Sequence, residues 1–260
     1  MVGTLLLRNG KLCSVTFYGG KGGGKKKKSS ILEVGFMLKV ELTKPRKPHA
    51  PSESPLYQAK EWDLIWYHQH IRHSLGAFHT LYFMSEVISK LGVEAHLEDE
   101  LEDPDSVGLF KVLSNGFYYF DHLLVRVEKG QDLALSYAVL SFFLGKLLIE
   151  LGVFPEVNQC VVTGEALDNL EQKGAVRFLP DQGGFALQAV LNEHEGETRN
   201  LQDDRPILQF LRYVAQTRFQ EFSFNPRAEY APLARRLFHY FCYHFQFKEE
   251  QFRTFSLIFS

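Results

Sequence analysis

Apolar residues near the start of the chain come in short runs separated by turn residues, a pattern that predicts β-structure. Residues 5–7, 12–18 and 36–42 are rich in Leu, Val, Phe and Thr. Asn9 and Gly10 separate the first two runs, and this pair favours a hairpin because both residues tolerate positive φ. In the third run apolar and polar positions alternate, and a period of two predicts a half-buried strand.

After residue 56 the apolar positions follow spacings of three and four, which predicts helices. Residues 107–127 and 133–151 form two long stretches of this kind, with Asp132 as a cap and Gly152 as a stop for the second. Residues 156–190 interrupt the pattern with glycines and short β-like runs. The helical spacing begins with Trp62, Ile65, Trp66, Leu75, Phe78, Tyr82 and Val87, and it resumes after Asp203 and Asp204 and again near Pro232.

A proline-rich segment at residues 43–55 separates these two patterns. No helix or central strand tolerates that density of proline, so the segment is predicted to be a domain linker. We therefore expect an α+β protein with a β-domain in residues 1–50 and a mostly helical domain in residues 51–260. A β-like insertion interrupts the helical domain at about residues 156–190. The prolines of the linker are Pro45, Pro48, Pro51 and Pro55.

Composition indicates a globular protein that needs no covalent cross-links. The chain has 260 residues, of which 45% are apolar, enough to bury a large core. Its three cysteines lack paired spacing, which argues against a disulfide framework and favours a reducing compartment. The apolar stretch at residues 133–154 is interrupted by Lys146 and Glu150, which favours a buried core helix over a membrane span. We expect a cytoplasmic protein that does not enter the membrane.

Positive charge is concentrated at the start of a chain that is slightly acidic as a whole. Residues 1–49 hold eleven Lys and Arg against two acids, a net charge of +9, whereas the remainder holds 18 basic and 29 acidic residues, a net charge of −11. Like charges on one small module repel one another, and a polyanion relieves that repulsion and releases counterions. The pattern predicts nucleic-acid contact through Lys11, Lys21, Lys25, Lys26, Lys27, Lys28, Lys44, Arg46 and Lys47.

The glycine- and lysine-rich segment between the second and third predicted strands has two other interpretations. Gly19, Gly24 and Lys25 have the spacing of a phosphate-binding loop, but Lys26 stands where that motif needs Ser or Thr for magnesium. A nucleotide-binding enzyme therefore stays an alternative, as does an interaction scaffold in which the segment is inert. No nucleophile, base and orienting residue form a recognisable set, so we expect neither an enzyme nor a cofactor.

Neither the histidines nor the cysteines have the spacing of a metal site. His68, His70 and His73 lie within six residues, but no two of them are four apart, and we expect surface or packing roles for them. A structural zinc site needs paired thiolates, whereas the residue three positions after Cys160 is Thr163. We expect Cys160 to be a small buried residue.

Residues 147–165 carry a resemblance to a known family. They read Leu-Leu-Ile-Glu-Leu-Gly-Val-Phe-Pro-Glu-Val-Asn-Gln-Cys-Val-Val-Thr-Gly-Glu. This segment resembles RecO, the bacterial recombination mediator family, in which an apolar helix ends in Leu-Gly-Tyr-x-Pro before Cys-x-x-Cys-Gly. The sequence Gly183-Gly184-Phe185 is similar to the family's entry to its second cysteine pair, and Gly10-Lys11-Leu12 with the basic loop is similar to its early strands. The sharp part of the resemblance covers about 40 residues.

The resemblance implies an amino-terminal OB-fold-like β-barrel followed by a helical domain with a zinc-ribbon-like insertion. It also implies a DNA repair and recombination mediator of the RecF pathway that binds single- and double-stranded DNA and anneals complementary strands. The implied protein partners are RecR and the carboxy-terminal tail of single-strand-binding protein, and the implied outcome is RecA loading at gaps. The implied location is the cytoplasm, in association with the nucleoid.

Two departures from the family pattern modify these expectations. Only Cys160 is kept among four zinc positions, because the others hold Thr163, Ala186 and Ala189. We expect a degenerate insertion without zinc, held by packing of residues such as Val161, Val162, Phe178 and Phe185. The family usually has a further strand before residues 4–7, so we expect a barrel that lacks its first strand and exposes an edge.

An OB fold binds single strands through cationic grooves and aromatic side chains on which bases stack. The aromatic candidates in the basic β-domain are Phe17, Tyr18 and Phe36, each of which would serve equally well as core.

Overall fold

A computed structural model of the chain describes residues 1–17, 32–43, 56–92, 108–168, 174–195 and 203–259. These residues form two compact units. The first unit contains residues 1–136 and 252–258, and the second contains residues 137–251 and 259. The predicted domain boundary at residue 50 lies outside the described residues.

A four-stranded mixed sheet forms the start of the first unit. Its strands are β1 (Val2–Leu6), β2 (Leu12–Phe17), β3 (Met37–Thr43) and β4 (Leu56–Trp66), and their order in the sheet is β1-β2-β4-β3. Strands β1 and β2 are antiparallel, β2 and β4 are parallel, and β3 and β4 are antiparallel. The predicted hairpin, and strands over the three predicted apolar runs, are therefore confirmed.

The hairpin and the core of this sheet follow from local chemistry. Gly10 has a φ of +76°, in the left-handed region that a side chain would oppose. Alternate residues of β2, namely Cys13, Val15 and Phe17, are buried, and they pack with Tyr57 and Ala59 of β4. Side chains of Leu5, Leu7, Leu32, Leu38, Val40, Leu42 and Trp62 lie against this cluster.

The helix predicted from residue 56 is wrong over residues 56–66, which form β4 instead. A bulge explains the error. Ala59 pairs with Leu42 whereas Glu61 pairs with Glu41, so Lys60 is an extra residue in β4. Before this extra residue the odd-numbered side chains Tyr57 and Ala59 face the core. After it the even-numbered Trp62 faces the core instead. Inward side chains then recur at spacings of two and three, which hides the period of two that identifies a strand.

A closed barrel is not seen among the described residues, where β1 and β3 are the two edges of an open sheet. A large apolar cavity of 940 Å³ lies beside both edges. Its lining includes Leu5 and Leu7 near one edge and Leu38 and Val40 on the other. Ile88 and Phe117, which belong to two helices outside the sheet, also line it, so the cavity is bounded by both the sheet and helical residues.

Two helices complete the part of the first unit that bears on function. Helix α1 spans Leu75–Leu91 and helix α2 spans Gly108–Leu124. Ser74 caps α1, accepting a hydrogen bond from the Ala77 amide at 3.3 Å, as expected for a cap of this type. The long helices predicted after residues 75 and 107 are confirmed.

A buried carboxylate fixes the connection between β4 and α1. Asp121 of α2 is only 4% exposed, and it accepts hydrogen bonds from the amides of Gln69 (3.0 Å), His70 (2.7 Å) and Ile71 (2.9 Å). Residues Ile71–His73 then form a single 3₁₀ turn. Burying an ion is costly unless it is well hydrogen-bonded, and these three amides provide that compensation.

The remaining helices are α3 (Asp132–Glu150), α4 (Gln188–Glu195), α5 (Arg205–Gln216), α6 (Tyr230–Phe245) and α7 (Phe255–Phe259). The helices predicted at residues 133–151, after Asp204 and near Pro232 are confirmed. Asp132 is the first residue of α3 rather than its cap. Gly152 ends α3 with a φ of +71°.

Helix α3 is the one described helix whose length and composition are compatible with crossing a membrane. However, 67% of its apolar window is buried inside the protein, as is usual for the core helix of a soluble protein. The uncharged run of this helix therefore acts as core, as predicted.

Replacing Asp121 with Asn should destabilise the protein by about 2 kcal/mol, because a neutral amide cannot satisfy all three buried amides. The free energy of unfolding from urea titration measures the effect. Asp168→Asn, the same change at an exposed aspartate, should stay within about 0.5 kcal/mol of the wild type. Equal effects of the two substitutions would contradict the anchoring role of Asp121.

Candidate nucleic-acid interface

Most of the predicted DNA-binding side chains lie outside the described residues. Of the nine, Lys11 alone falls within them, and Lys21, Lys25, Lys26, Lys27, Lys28, Lys44, Arg46 and Lys47 do not.

The strands to which the two basic segments are joined place the start of both segments close together. Phe17, the last residue before segment 18–31, pairs with Ala59 in β4. Leu42, two residues before segment 44–55, pairs with the same Ala59 on its other side. Two strand spacings separate Phe17 from Leu42, which corresponds to about 10 Å. The first residues of the two cationic segments are thus joined to the same end region of the sheet, whereas segment 18–31 continues into β3 at its other end.

Lys11 lies elsewhere on the sheet. It is in the β1–β2 turn, where its carbonyl accepts a hydrogen bond from the Leu7 amide at 2.8 Å and its amide donates to Asn9 Oδ1 at 3.1 Å. Six residues separate it from Phe17, which corresponds to about 20 Å along β2. The structure therefore does not bring Lys11 next to the attachment points of the other basic residues.

The three residues predicted to stack on bases differ in burial and in whether the structure describes them. Phe17 is only 2% exposed and packs edge-on against Trp62, with ring centroids 6.1 Å apart, so of its two expected roles the structure supports the one in the core. Tyr18 lies outside the described residues. Phe36 is half-buried and contacts the rings of Tyr67 and His68 at centroid distances of 5.9 and 5.1 Å.

An aromatic group that the sequence reasoning missed surrounds the end of β4. We call Trp66, Tyr67, Tyr118 and His122 the aromatic cluster. The Trp66 and Tyr118 ring centroids are 6.0 Å apart, and those of Tyr118 and His122 are 4.2 Å apart. Tyr118 and His122 are four residues apart on α2, a spacing that places both on one helix face. That spacing was the available sequence signal.

The three neighbouring histidines occupy different environments. His68 is fully buried, whereas His70 and His73 are exposed. The His68 Nε2 atom donates to the Val34 carbonyl at 3.1 Å, and its Nδ1 atom is buried without a hydrogen-bond partner. Within the described ranges, no group of three or more His, Cys, Asp or Glu side chains is arranged to hold a metal ion.

The insertion at residues 156–190 forms a second, three-stranded sheet. Its strands are β5 (Glu156–Cys160), β6 (Val176–Leu179) and β7 (Gly184–Leu187), in the order β5-β7-β6. Phe178 and Phe185 are buried and stacked, with centroids 4.8 Å apart, which confirms their predicted packing role. The prediction for Val162 is wrong, because this side chain is 38% exposed.

The insertion is tied to helix α5 by one arginine. Arg212 donates from Nε to the Val157 carbonyl at 2.9 Å and from a terminal nitrogen to the Leu167 carbonyl at 3.2 Å. These two carbonyls lie on either side of the segment that contains the first two degenerate zinc positions, Cys160 and Thr163. A guanidinium can bridge two acceptors because its donors lie in one rigid plane.

At the four zinc positions of the family pattern, the structure places Cys160 at the end of β5, Thr163 in the following turn, Ala186 in β7 and Ala189 in α4. Cys160 is buried, Ala186 is buried, and Thr163 and Ala189 are exposed. Only one of these side chains is a strong zinc ligand. A zinc-ribbon is therefore not evident in the described residues, and the absence of zinc from the protein stays a prediction.

The Cys160 thiol is nevertheless surrounded by hydrogen-bond donors. Burial tends to raise the pKa of this thiol, but the Thr163 hydroxyl and the amides of Thr163, Leu187 and Val162 donate to the sulfur and lower its pKa below the ordinary value. Burial instead raises the pKa of Cys13 to about 11, and burial together with the nearby Glu249 raises that of Cys242 to about 12. All three thiols are free.

Comparison with known proteins provides no independent assignment: no protein-family model and no curated protein matches this chain.

The Cys160 thiol should be the first of the three to ionise as pH rises. The pH dependence of the cysteine Cβ chemical shifts, followed by NMR, measures the order. Thr163→Val should move the Cys160 transition to higher pH, since it removes the hydroxyl that stabilises the thiolate. Thr217→Val, a change outside this sheet, should leave the transition in place. Ionisation of Cys13 or Cys242 before Cys160 would contradict the hydrogen-bonding account.

Proposed function

We propose that the protein is a RecO-like DNA-binding mediator that binds single- and double-stranded DNA, anneals complementary strands and, with RecR, helps RecA load on DNA coated by single-strand-binding protein. One observation carries the proposal: a net charge of +9 within residues 1–49 of a chain whose remainder has a net charge of −11. A phosphate backbone complements that local charge, whereas the net negative charge of the rest of the chain supplies no attraction for phosphates.

The strand order supports an OB-fold-like barrel at the amino terminus. A five-stranded OB barrel combines antiparallel pairs with one parallel pair, as do β1–β2, β3–β4 and the parallel β2–β4 here. The two edges, β1 and β3, border the same cavity, which corresponds to the place of one further strand. The resemblance at residues 147–185 points to the same family by a separate route.

The proposed mechanism relies on neutralising phosphates rather than on reading bases. Lysines of segments 18–31 and 44–55 contact the backbone, and such contacts position a strand without specifying its sequence. Two strands bound in this way repel each other less, and their base edges stay free to pair. Annealing of any complementary sequence then follows from charge alone.

We assign the protein contacts to the acidic remainder of the chain. The tail of single-strand-binding protein is acidic and apolar, so it needs a cationic rim. Arg236 is engaged, with a terminal nitrogen 3.1 Å from Asp204 Oδ1, and Asp204 is only 2% exposed. Arg227 and Arg235 are exposed and are the better candidates. The protein would act in the cytoplasm, associated with the nucleoid.

The alternative of a phosphate-binding loop has less support. That motif needs a helix directly behind the loop, with its amino terminus facing the phosphates. Here Leu32 and Glu33 are followed by a turn at Val34 and Gly35, and β3 begins at Met37. Residues 32–43 therefore contribute no helix to such a site.

Binding to a short single strand should weaken steeply with salt. If about five phosphates are neutralised, the logarithm of the association constant should fall with the logarithm of salt concentration at a slope of roughly −3.5. Fluorescence anisotropy with a labelled oligonucleotide measures the slope. A flat salt response would contradict the proposal and favour an inert scaffold.

Replacing Lys25, Lys26, Lys27 and Lys28 together with Ala should weaken binding to all sequences alike and reduce the slope. The matched control replaces four exposed basic residues elsewhere, namely Lys111, Arg227, Arg235 and Lys248. The control removes the same total charge and should retain the binding. Equal losses from both variants would show that net charge, rather than the basic segment, determines affinity.

A further inference from the structure

Three members of the aromatic cluster, Trp66, Tyr67 and His122, line a cleft whose walls expose large apolar side chains, and the fourth, Tyr118, contacts the rings of Trp66 and His122. The cleft has a volume of 240 Å³ and is lined by Ile65, Trp66, Tyr67, Gln69, His70, Asp121, His122 and Val125. Ile65 is 58% exposed, Val125 is 62% exposed, and Tyr67 and Tyr118 are each 41% exposed. Exposed apolar side chains gathered at one place on a surface usually mark a binding site.

Hydrogen bonds to the backbone and contacts between rings hold the aromatic side chains at this cleft in place. Asp121 fixes the backbone of residues 69–71, directly after Tyr67, by three hydrogen bonds. His122 follows Asp121 on α2, and its Nδ1 atom donates to the Tyr118 carbonyl at 2.8 Å. Tyr118 in turn lies between Trp66 and His122. A ligand would therefore meet rings that are already ordered, at little cost in side-chain entropy.

The position of the cluster suggests the chemistry of that ligand. The basic segment 18–31 rejoins the described chain at Leu32, four residues before Phe36. Phe36 contacts Tyr67 at a centroid distance of 5.9 Å. Exposed aromatic rings thus lie near the end of the most cationic segment in the protein. Single-strand-binding surfaces combine these two features, since phosphates follow the cations and bases stack on the rings.

We propose that the aromatic cluster is a stacking surface for unpaired nucleobases, an inference that rests on the proposed DNA-binding function. Tyr67 and Tyr118 present the exposed rings; Trp66 and His122 contact the Tyr118 ring, and Phe36 contacts the Tyr67 ring. Every base offers a flat face, so stacking here is tolerant of sequence. Paired bases are not available for it, so the cluster distinguishes single-stranded from double-stranded DNA, which phosphate contacts alone do not.

Abasic oligonucleotides separate stacking from charge, because they keep the phosphates and lack the bases. The wild type should bind an oligothymidine about tenfold more tightly than an abasic strand of equal length, a preference typical of one or two stacked bases. Tyr118→Leu and Tyr67→Leu should each reduce this preference while the salt slope stays unchanged. Tyr243→Leu, a change at a tyrosine that is 54% exposed in the second unit, is the matched control and should keep it.

A second measurement reports stacking directly and does not depend on affinity. The chain has two tryptophans, and Trp62 packs against Phe17 in the core of the sheet. In a Trp62→Phe variant, the fluorescence of Trp66 should be quenched by oligothymidine and should change little with the abasic strand. Circular dichroism of each variant verifies that it is folded.

The outcomes distinguish this inference from the function on which it rests. If the wild type binds both strands equally and Trp66 responds to neither, the stacking surface is wrong while DNA binding by charge stands. If neither strand binds at low salt, the proposed function fails and the stacking surface fails with it. If Tyr243→Leu loses the base preference as Tyr118→Leu does, the cluster is not its source.

Discussion

The pairing of strand β4 with both of its neighbours is the constraint on which the amino-terminal sheet depends. Ala59 is bonded in register with Phe17 on one side and with Leu42 on the other. This double pairing aligns the inward faces of three strands, so that Val15, Phe17, Tyr57 and Ala59 form one buried cluster. It also determines where the two basic segments leave the sheet. A slip of one residue would turn the apolar faces outward.

Buried carboxylates perform a related task where strands meet helices. Asp121 holds the chain after β4 in the first unit. In the second unit, Asp204 accepts a hydrogen bond from the Phe178 amide at 2.9 Å and pairs with Arg236, which ties β6 to helices α5 and α6. Asp121 satisfies amides of a turn and Asp204 satisfies an amide of the edge strand β6, which would otherwise lack partners. Such anchors explain how short connections keep a defined geometry without a disulfide.

The sequence predicted elements whose signal is local and missed those that depend on distant pairing. The Asn9-Gly10 hairpin and helix α3 were found because turn chemistry and periodicity lie within a few residues. Strand β4 was taken for a helix because the bulge at Lys60 is visible only from its pairing with β3. The candidate interface was predicted in its charge but not in its aromatic part. Trp66 and Tyr118 are 52 positions apart in the sequence, and only the fold brings their rings together.

Charge and stacking would serve different steps in the proposed annealing of strands. Phosphate contacts supply affinity for any strand, paired or unpaired, and they weaken as salt rises. Stacking is available to unpaired bases alone and is lost when those bases pair. A small stacking surface therefore suits an annealing protein better than a large one. Stacking of one or two bases is enough to favour the binding of single strands. The free energy lost when those bases are released is smaller than the free energy gained when many bases pair. The limited size of the aromatic cluster is consistent with this comparison of free energies. A long aromatic groove would hold single strands so strongly that it would oppose formation of the annealed duplex.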